Sequence, residues 1–427
     1  MRMTEKLLQF IWKHRYFNQQ GLELMTGERL TIDFPGEENT HQGPDFINAR
    51  IRINGYSWIG SVELHLFSSG WEKHSHTEDD NYRNVMLHVV WKHDHLKIKR
   101  NIPQLELCSR ISRLMLDTYE GWMMKPVFIP CELSASRTDC GKWEKWASQL
   151  LIMRLNRKMH LILDSLRLNH YHWEEQLWWM IAANFGNPVN TMAFESIARS
   201  IPFALLAKHR EHLLQLEALF IGQANLLNKN FRDPYPSMLK KEYVFLNRKY
   251  GLNKIYEPVH FLRMRPENFP GIRLSQLAAL CANSTALFSW ILECESVLQL
   301  KKKLMVKAND YWHNHYVFEK TSAFREKLLG SDMCDNIIIN SIIPLLYTYG
   351  KMVSDSAVLK RSVSWLEQMP AEQNRVTQGW KRIGVSVKKA AGSQALSELK
   401  KQFCDQRKCL ECDIGKQLLQ PDERVKN

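Results

Sequence analysis

The feature that most constrains the fold is the Asn54-Gly55 dipeptide, which separates two alternating segments, Asp45–Ile53 and Tyr56–Phe67. Asn-Gly favours a two-residue hairpin turn that pairs residues whose numbers sum to about 109. Asp45 then lies opposite position 64, one place from Glu63. Because neighbouring strands lie about 4.8 Å apart, a bulge or a distortion at the strand end could bring the two carboxylates together.

A change of periodicity near residue 130 divides the chain. Before it, the pattern predicts a first helix, three strands, a short helix and the buried strand Val85–Trp91. After residue 135 the apolar spacing is helical and is interrupted by prolines. The sequence therefore predicts an α+β protein: a mixed sheet with flanking helices over residues 1–130, then a large all-α domain over residues 131–427 that ends in a Cys-rich segment.

The charge follows the same division. Residues 1–130 hold 16 Lys+Arg and 16 Asp+Glu, so the remaining 42 Lys+Arg and 29 Asp+Glu carry the whole net charge of +13. Basic clusters such as Lys301–Lys303 lie near aromatic residues, a combination that can hold phosphates and stack bases. We therefore expect nucleic acid to be the partner of the helical domain.

Composition excludes several classes of protein. The apolar share of 44% and the charged share of 24% are typical of globular chains. No run of about 18 apolar residues occurs, and the N-terminus lacks a signal-peptide pattern, so we expect no membrane partner and a cytoplasmic location. Nine cysteines are too sparse for a disulfide scaffold.

The acidic pair Asp45 and Glu63 carries the most specific chemistry. Two carboxylates brought together are ligands that Mg²⁺ or Mn²⁺ prefers. Such a cation can activate water and neutralise the charge that builds on a phosphate. The sequence therefore predicts Asp45 and Glu63 as metal ligands, with His65 close by as a catalytic residue.

The segments Pro44-Asp45 and Glu63-x-His65 resemble the PD-(D/E)xK nuclease motif. The predicted order of helix, three strands, helix and strand matches the core of that family. The resemblance implies that Asp45 and Glu63 hold the metal, and that His65 stands where the family usually has lysine. The lysines that could replace the missing one from a neighbouring position are Lys73, Lys92 and Lys97.

The chain as a whole is similar to an uncharacterised bacterial family, a domain of unknown function. That similarity covers nearly the whole chain and implies no activity. The segments that carry it are Leu7–Trp12, Gly43–Phe46, Gly60–His65, Asn84–Trp91, Leu216–Ala224, Arg265–Pro270 and Cys409–Gly415.

Histidines cluster close to the acidic pair, since six of the sixteen fall between His65 and His95. With Asp80, the loop residues His74 and His76 are candidates for the wall of the same pocket, as phosphate contacts, proton carriers or ligands of Zn²⁺ or Mn²⁺. The alternative is a solvated polar loop. His88 lies within an apolar strand, a position typical of a core histidine.

The C-terminal cysteines Cys404, Cys409 and Cys412 have Cys-x4-Cys-x2-Cys spacing. Three clustered thiols indicate a candidate second metal site, holding Zn²⁺ or an iron–sulfur cluster. Both usually need a fourth ligand, and the candidates are Cys131, Cys140, Cys334 and a histidine. The alternative is a small knuckle of buried cysteines without metal.

Three functional hypotheses follow. The first is a metal-dependent nuclease in which Asp45, Glu63 and His65 act on a phosphodiester while the basic helices grip the nucleic acid. The second is a non-catalytic module of the same fold that binds nucleic acid or protein. The third is a metallohydrolase of another substrate that uses His65, His74, His76 and Asp80.

Overall fold

The computed structural model describes residues 3–39, 42–74, 79–94, 102–124, 127–138, 140–186, 188–262, 264–284 and 286–420. The chain forms two compact units. The first comprises residues 1–146, 382–384 and 399–427, and the second comprises residues 147–381 and 385–398. The Cys-rich segment, predicted from the sequence to belong to the helical domain, thus groups with the N-terminal unit.

The first unit opens with helix α1 (Glu5–His14), which Thr4 caps by accepting a hydrogen bond from the backbone N–H of Leu7. Its apolar face is buried, and Arg15 ends the helix in the left-handed conformation. The strands and remaining helices of this part are β1 (Leu30–Phe34), β2 (Glu37–Glu38), β3 (Phe46–Ile53), β4 (Tyr56–Phe67), α2 (Gly70–Lys73), β5 (Val85–Lys92), β6 (Gln104–Glu106) and α3 (Arg113–Met124).

A mixed sheet organises the first unit, in the order β1-β3-β4-β5-β6 with β2 paired to β3. Strands β1, β3 and β4 pair antiparallel, whereas β5 and β6 pair parallel to their neighbours. The six residues Val85–Val90 of β5 are all buried, as the apolar run predicted. The predicted mixed sheet is confirmed.

The register of the β3–β4 hairpin follows the Asn54-Gly55 turn, with Ala49 opposite Gly60 and Ile53 opposite Tyr56. Beyond Ala49 the register changes, because Phe46 lies opposite Val62. Two residues of β3 face one of β4 there, which defines a β-bulge, and Asn48 within it has a φ of 58°.

The bulge shifts the pairing of the two strands by one residue. It therefore changes the sheet face on which the side chain of Asp45, before the bulge, lies. Without it, Asp45 would be opposite Leu64. With it, Asp45 comes opposite Glu63 and on the same face of the sheet.

Gly36 packs against this bulge with a φ of 99°. A Cβ atom at this position would lie 2.9 Å from the carbonyl oxygen of Ile47 and 3.0 Å from the Cβ of Phe46. The glycine is therefore required both by its backbone conformation and by the close approach of β3.

From residue 140 onward the chain is mostly helical. The helices are α4 (Cys140–Leu168), α5 (Trp173–Phe185), α6 (Thr191–Ser200), α7 (Phe203–His209), α8 (Leu213–Gln223), α9 (Pro234–Tyr250), α10 (Pro270–Ala282), α11 (Leu287–Glu293), α12 (Val297–Leu304), α13 (Ser331–Ile337), α14 (Ile343–Met352), α15 (Ser356–Gln368), α16 (Arg375–Arg382), α17 (Ala390–Glu398) and α18 (Asp413–Leu419). Short 3₁₀ segments are Asp80–Tyr82, Glu132–Arg137, Pro266–Asn268 and Asp310–Asn314, and π-helical turns are Ile338–Ile342 and Leu399–Cys404.

The second unit is built around an extensive apolar core contributed mainly by its helices. The prediction that the domain is all-α needs one correction, because the strands His315–Val317 and Lys320–Thr321 form a small antiparallel hairpin. These strands are too short to show a period-two pattern in the sequence. In the described parts of the chain, no helix is both long and apolar enough to cross a membrane.

We predict that Gly36→Ala lowers the free energy of unfolding by about 3 kcal/mol, because it combines left-handed backbone strain with overpacking against the bulge. Gly27→Ala is the matched control, since Gly27 has a φ of 90° but a Cβ atom added there would meet nothing within 4 Å. We expect Gly27→Ala to cost only about 1 kcal/mol. Urea denaturation followed by tryptophan fluorescence measures both, and equal losses would contradict the role of Gly36 at the bulge.

Candidate functional site

Asp45 and Glu63 meet where strand β3 begins beside the middle of β4. The backbone N–H of Asp45 donates a 3.0 Å hydrogen bond to Oε2 of Glu63, and the N–H of Leu64 donates one of 3.0 Å to Oδ2 of Asp45. From α1, the amide Nε2 of Gln9 donates a 2.8 Å bond to Oδ1 of Asp45. Both carboxylates are thus fixed by hydrogen bonds from neighbouring elements.

The two carboxylates are unusually hard to ionise in this structure. Burial is the main cause that raises the pKa of Asp45 from 3.8 to about 6 and that of Glu63 from 4.5 to about 8. The charge of Asp45 raises the pKa of Glu63 further, and the charge of Glu5 raises both. Removing a charged group from water costs several kcal/mol unless a partner compensates it. The pair is therefore suited to a cation.

Three histidines form a hydrogen-bonded chain beside the carboxylates. Nδ1 of His65 lies 2.9 Å from Nε2 of His88, and Nε2 of His65 lies 3.2 Å from Nδ1 of His74. Oε1 of Glu63 is 3.7 Å from Nε2 of His65. His65 and His88 are buried, whereas His74 is exposed. The histidine chain therefore leads from the buried carboxylate of Glu63 to the surface.

The strand pairing explains this arrangement. Glu63 and His65 alternate onto one face of β4, and the parallel register places His88 of β5 directly beside Glu63. The short helix α2 follows β4 closely, and a Cβ atom on Gly70 would lie 2.8 Å from the ring of His65. A glycine at this position lets the backbone of α2 approach the imidazole.

Aromatic side chains close the buried side of the cluster. The ring of Trp71 packs on His88 with centroids 5.3 Å apart and meets Tyr82 edge-on. Burial, followed by the charges of Glu63 and Asp45, raises the pKa of Tyr82 to about 12, so this hydroxyl stays protonated. The Tyr82 hydroxyl donates a 3.4 Å bond to the carbonyl of Gly43.

The structure thus brings together Asp45, Glu63, His65 and His74 from the predicted site residues. The predictions for His76, for the side chain of Asp80 and for Lys97 lie outside the described parts of the chain. Lys73 ends α2 and Lys92 ends β5, and both side chains are exposed.

Glu5, Gln9 and His88 were not predicted from the sequence as site residues. Glu5 and Gln9 are four residues apart, one turn of α1, so they share a helix face, but nothing in the sequence shows which strand that face meets. His88 is buried as predicted for a core histidine, yet its ring also bonds to His65. Its pairing with Glu63 depends on the parallel register, which sequence periodicity does not reveal.

The C-terminal cysteines lie in the first unit together with Cys131, and all four are free thiols. The side chain of Cys140 is outside the described residues, and Cys334 belongs to the second unit. Among the side chains described, no three His, Cys, Asp or Glu residues already surround a point where a metal ion would fit. Any metal at either predicted site would therefore require side-chain adjustment.

The basic clusters of the second unit are partly engaged within the protein. Lys301 forms a 2.6 Å ion pair with Asp335, and Nζ of Lys303 donates to the carbonyl of Asn283. A cavity of about 640 Å³ in this unit is lined by basic and acidic side chains, including Arg265. Because both charges line this cavity, its lining does not indicate one class of ligand.

Comparison with known proteins gives one family. The chain matches the family described as "Protein of unknown function (DUF2851)" over residues 5–375. No curated protein and no solved structure matches the chain.

We predict that the metal-free protein becomes less stable as the pH rises, because both folded-state pKa values lie above their ordinary values. The stabilising contribution is complete below pH 3.8 and is lost as the pH passes about 6 and about 8. Glu63→Gln should remove part of this dependence, so its melting temperature in a chelator should fall less than that of the wild type between about pH 5 and about pH 8.5.

The control for this experiment is Glu23→Gln, at an exposed position of the same unit. This variant should follow the wild-type curve at every pH. If Glu63→Gln follows it too, the buried carboxylate pair does not govern the pH dependence.

Proposed function

The chain belongs to the DUF2851 family, and we propose that it is a metal-dependent nuclease whose N-terminal unit hydrolyses phosphodiester bonds of nucleic acid. The observation that carries this proposal is the pairing of half-buried Asp45 with buried Glu63 next to the bulge of β3. Natural proteins rarely bury two carboxylates together without a compensating partner. A functional cation site is the simplest reason for this arrangement.

The resemblance to PD-(D/E)xK nucleases supports the same proposal. Asp45 immediately precedes β3, Glu63 lies on the paired strand β4, and α1 contributes Gln9 to the same place. Fold alone does not establish an activity, so the proposal depends on this site and its charges.

The donor set fits a hard divalent cation. Carboxylate oxygens from Asp45 and Glu63 would hold Mg²⁺ or Mn²⁺, with Glu5 adding negative charge nearby. When bound, such a cation would lower the pKa of a water and offset charge on the scissile phosphate. The hydrogen bond from Gln9 and the bond from the backbone of Leu64 keep Asp45 oriented for this task.

His65 takes the proton-transfer role in the proposal. Its Nε2 is close to Glu63 and bonds to His74, so a proton accepted at this nitrogen can pass to an exposed imidazole and then to solvent. The bond to His88 fixes the ring of His65 from the other side. Histidine at position 65 can accept a proton on one ring nitrogen and pass it to His74. Lysine at the same position would not provide this path.

The charge distribution supports nucleic acid as the substrate. All of the net charge of +13 lies beyond residue 130, whereas the part with the carboxylates is neutral. A polyanion would be held mainly by basic side chains, and its binding would weaken as the salt concentration rises.

We predict that the purified chain cleaves DNA or RNA in the presence of Mg²⁺ or Mn²⁺ and that Asp45→Asn lowers the cleavage rate by roughly 100-fold or more. Asp33→Asn is the matched control, because Asp33 lies on the same sheet but forms an exposed ion pair with Arg52. Asp33→Asn should keep the wild-type rate. Single- and double-stranded substrates of both nucleic acids are compared in a gel assay.

Equal cleavage by the wild type and Asp45→Asn would identify a contaminating nuclease and overturn the assignment. Binding of nucleic acid without cleavage in either metal would instead favour the non-catalytic module. A filter-binding assay on the same samples separates these outcomes.

We predict that His65→Gln lowers kcat by about 100-fold while leaving the stabilisation of the protein by Mn²⁺ unchanged. This combination of results would show that His65 transfers protons and does not bind the metal. The difference between the melting temperatures with and without Mn²⁺ measures the stabilisation by the metal. A simultaneous loss of Mn²⁺ stabilisation would show that His65 is a metal ligand.

A further inference from the structure

We propose that Cys131, Cys404, Cys409 and Cys412 form a four-thiolate metal centre that ties the C-terminal segment to the N-terminal unit. All four residues belong to the first unit, although Cys131 is far from the others in sequence. The ligand chemistry is that of a soft, thiolate-preferring metal, either Zn²⁺ or the iron of an iron–sulfur cluster. The proposal does not depend on the carboxylate pair.

The three C-terminal cysteines lie on a compact turn. The backbone N–H of Arg407 donates to the carbonyl of Cys404 at 3.2 Å, and the N–H of Lys416 donates to that of Cys412 at 2.8 Å. Gly415 allows α18 to pack against the turn, because a Cβ atom there would overlap the carbonyl of Cys409. The spacing and the turn thus bring the three side chains to one region.

Cys131 joins this region from another part of the chain. It immediately precedes the 3₁₀ segment Glu132–Arg137, which packs against α18. Electrostatic interactions link the thiol of Cys131 with those of Cys412 and Cys409, and with that of Cys404. Of the candidates that the sequence left open for a fourth ligand, Cys131 therefore lies near the other three.

Hydrogen-bond donors surround the sulfur of Cys412. Its Sγ accepts hydrogen bonds from the backbone N–H groups of Gly415 and Ile414. The indole N–H of Trp146 adds a third, weaker interaction. Trp146 is 4% exposed, and its Nε1 has no other hydrogen-bond partner among the described residues. Such donors to sulfur are typical around metal-bound thiolates.

The four thiols are enclosed by the protein, since Cys131, Cys409 and Cys412 are buried and Cys404 is half-buried. On binding, each sulfur forms a bond to the metal and releases its proton to the solvent, with no change of oxidation state. The described thiols do not surround a common point, so metal binding requires their side chains to move.

The consequence would be structural. A metal that binds both Cys131 and the C-terminal turn restrains two distant segments of the chain in the folded state only. Its binding energy then adds to folding stability, as in other structural thiolate sites.

The test is to purify the full-length chain under reducing conditions and measure zinc, iron and acid-labile sulfide per chain. We expect about one zinc, or iron and sulfide in equal amounts with visible absorption. Cys131→Ala and Cys409→Ala should lose at least nine-tenths of the metal. Cys334→Ala, which removes a fully buried cysteine of the second unit, should retain it.

A second measurement uses only the wild type, so it does not depend on whether the cysteine variants fold. Metal-stripped, reduced wild type is titrated with Co²⁺, and tetrahedral thiolate coordination should give intense thiolate-to-metal charge-transfer absorption. The proposal is overturned if the wild type contains no metal and gives no Co²⁺ spectrum. It is equally overturned if folded Cys131→Ala retains the wild-type metal content, or if the freshly purified protein contains a disulfide between these cysteines.

Discussion

The candidate site depends on one backbone irregularity, the bulge at which β3 begins. By shifting the pairing one residue, it turns Asp45 to the sheet face that carries Glu63 and His65. The hydrogen bonds from the backbone of Asp45 to Glu63 and from that of Leu64 to Asp45 then hold the carboxylates together. Burial is the main cause of the raised pKa values of both carboxylates, and the nearby charge of Asp45 raises that of Glu63 further.

Much of this region could be predicted from the sequence because its determinants are local. Asn54-Gly55 sets the turn, and the turn sets the register as far as Ala49. The sequence also predicts that a bulge or a distortion at the strand end could bring the carboxylates together. Its position could not be derived, because it depends on the left-handed Asn48 and on Gly36 packing from another segment. Asn and Gly are the residue types such positions favour, but they occur in many ordinary turns.

Features that depend on distant pairing were not predictable in the same way. The neighbour of Glu63 on β5 is His88 only because those strands run parallel with a register shift near Val62. Likewise, the spacing of the last three cysteines predicts a metal site, but only the folded chain shows that Cys131 belongs to the same unit as these cysteines. Periodicity reports which face of an element is buried, and it carries no information on which distant element covers that face.

The central claim is that Asp45 and Glu63 together hold a divalent cation. The most direct test is an anomalous difference map from crystals of the full-length chain grown with Mn²⁺. The account predicts a strong peak within coordination distance, about 2.2 Å, of oxygens from both carboxylates, and no such peak in crystals of Asp45→Asn. Well-ordered carboxylates of Asp45 and Glu63 with no peak between them at saturating Mn²⁺ would contradict it.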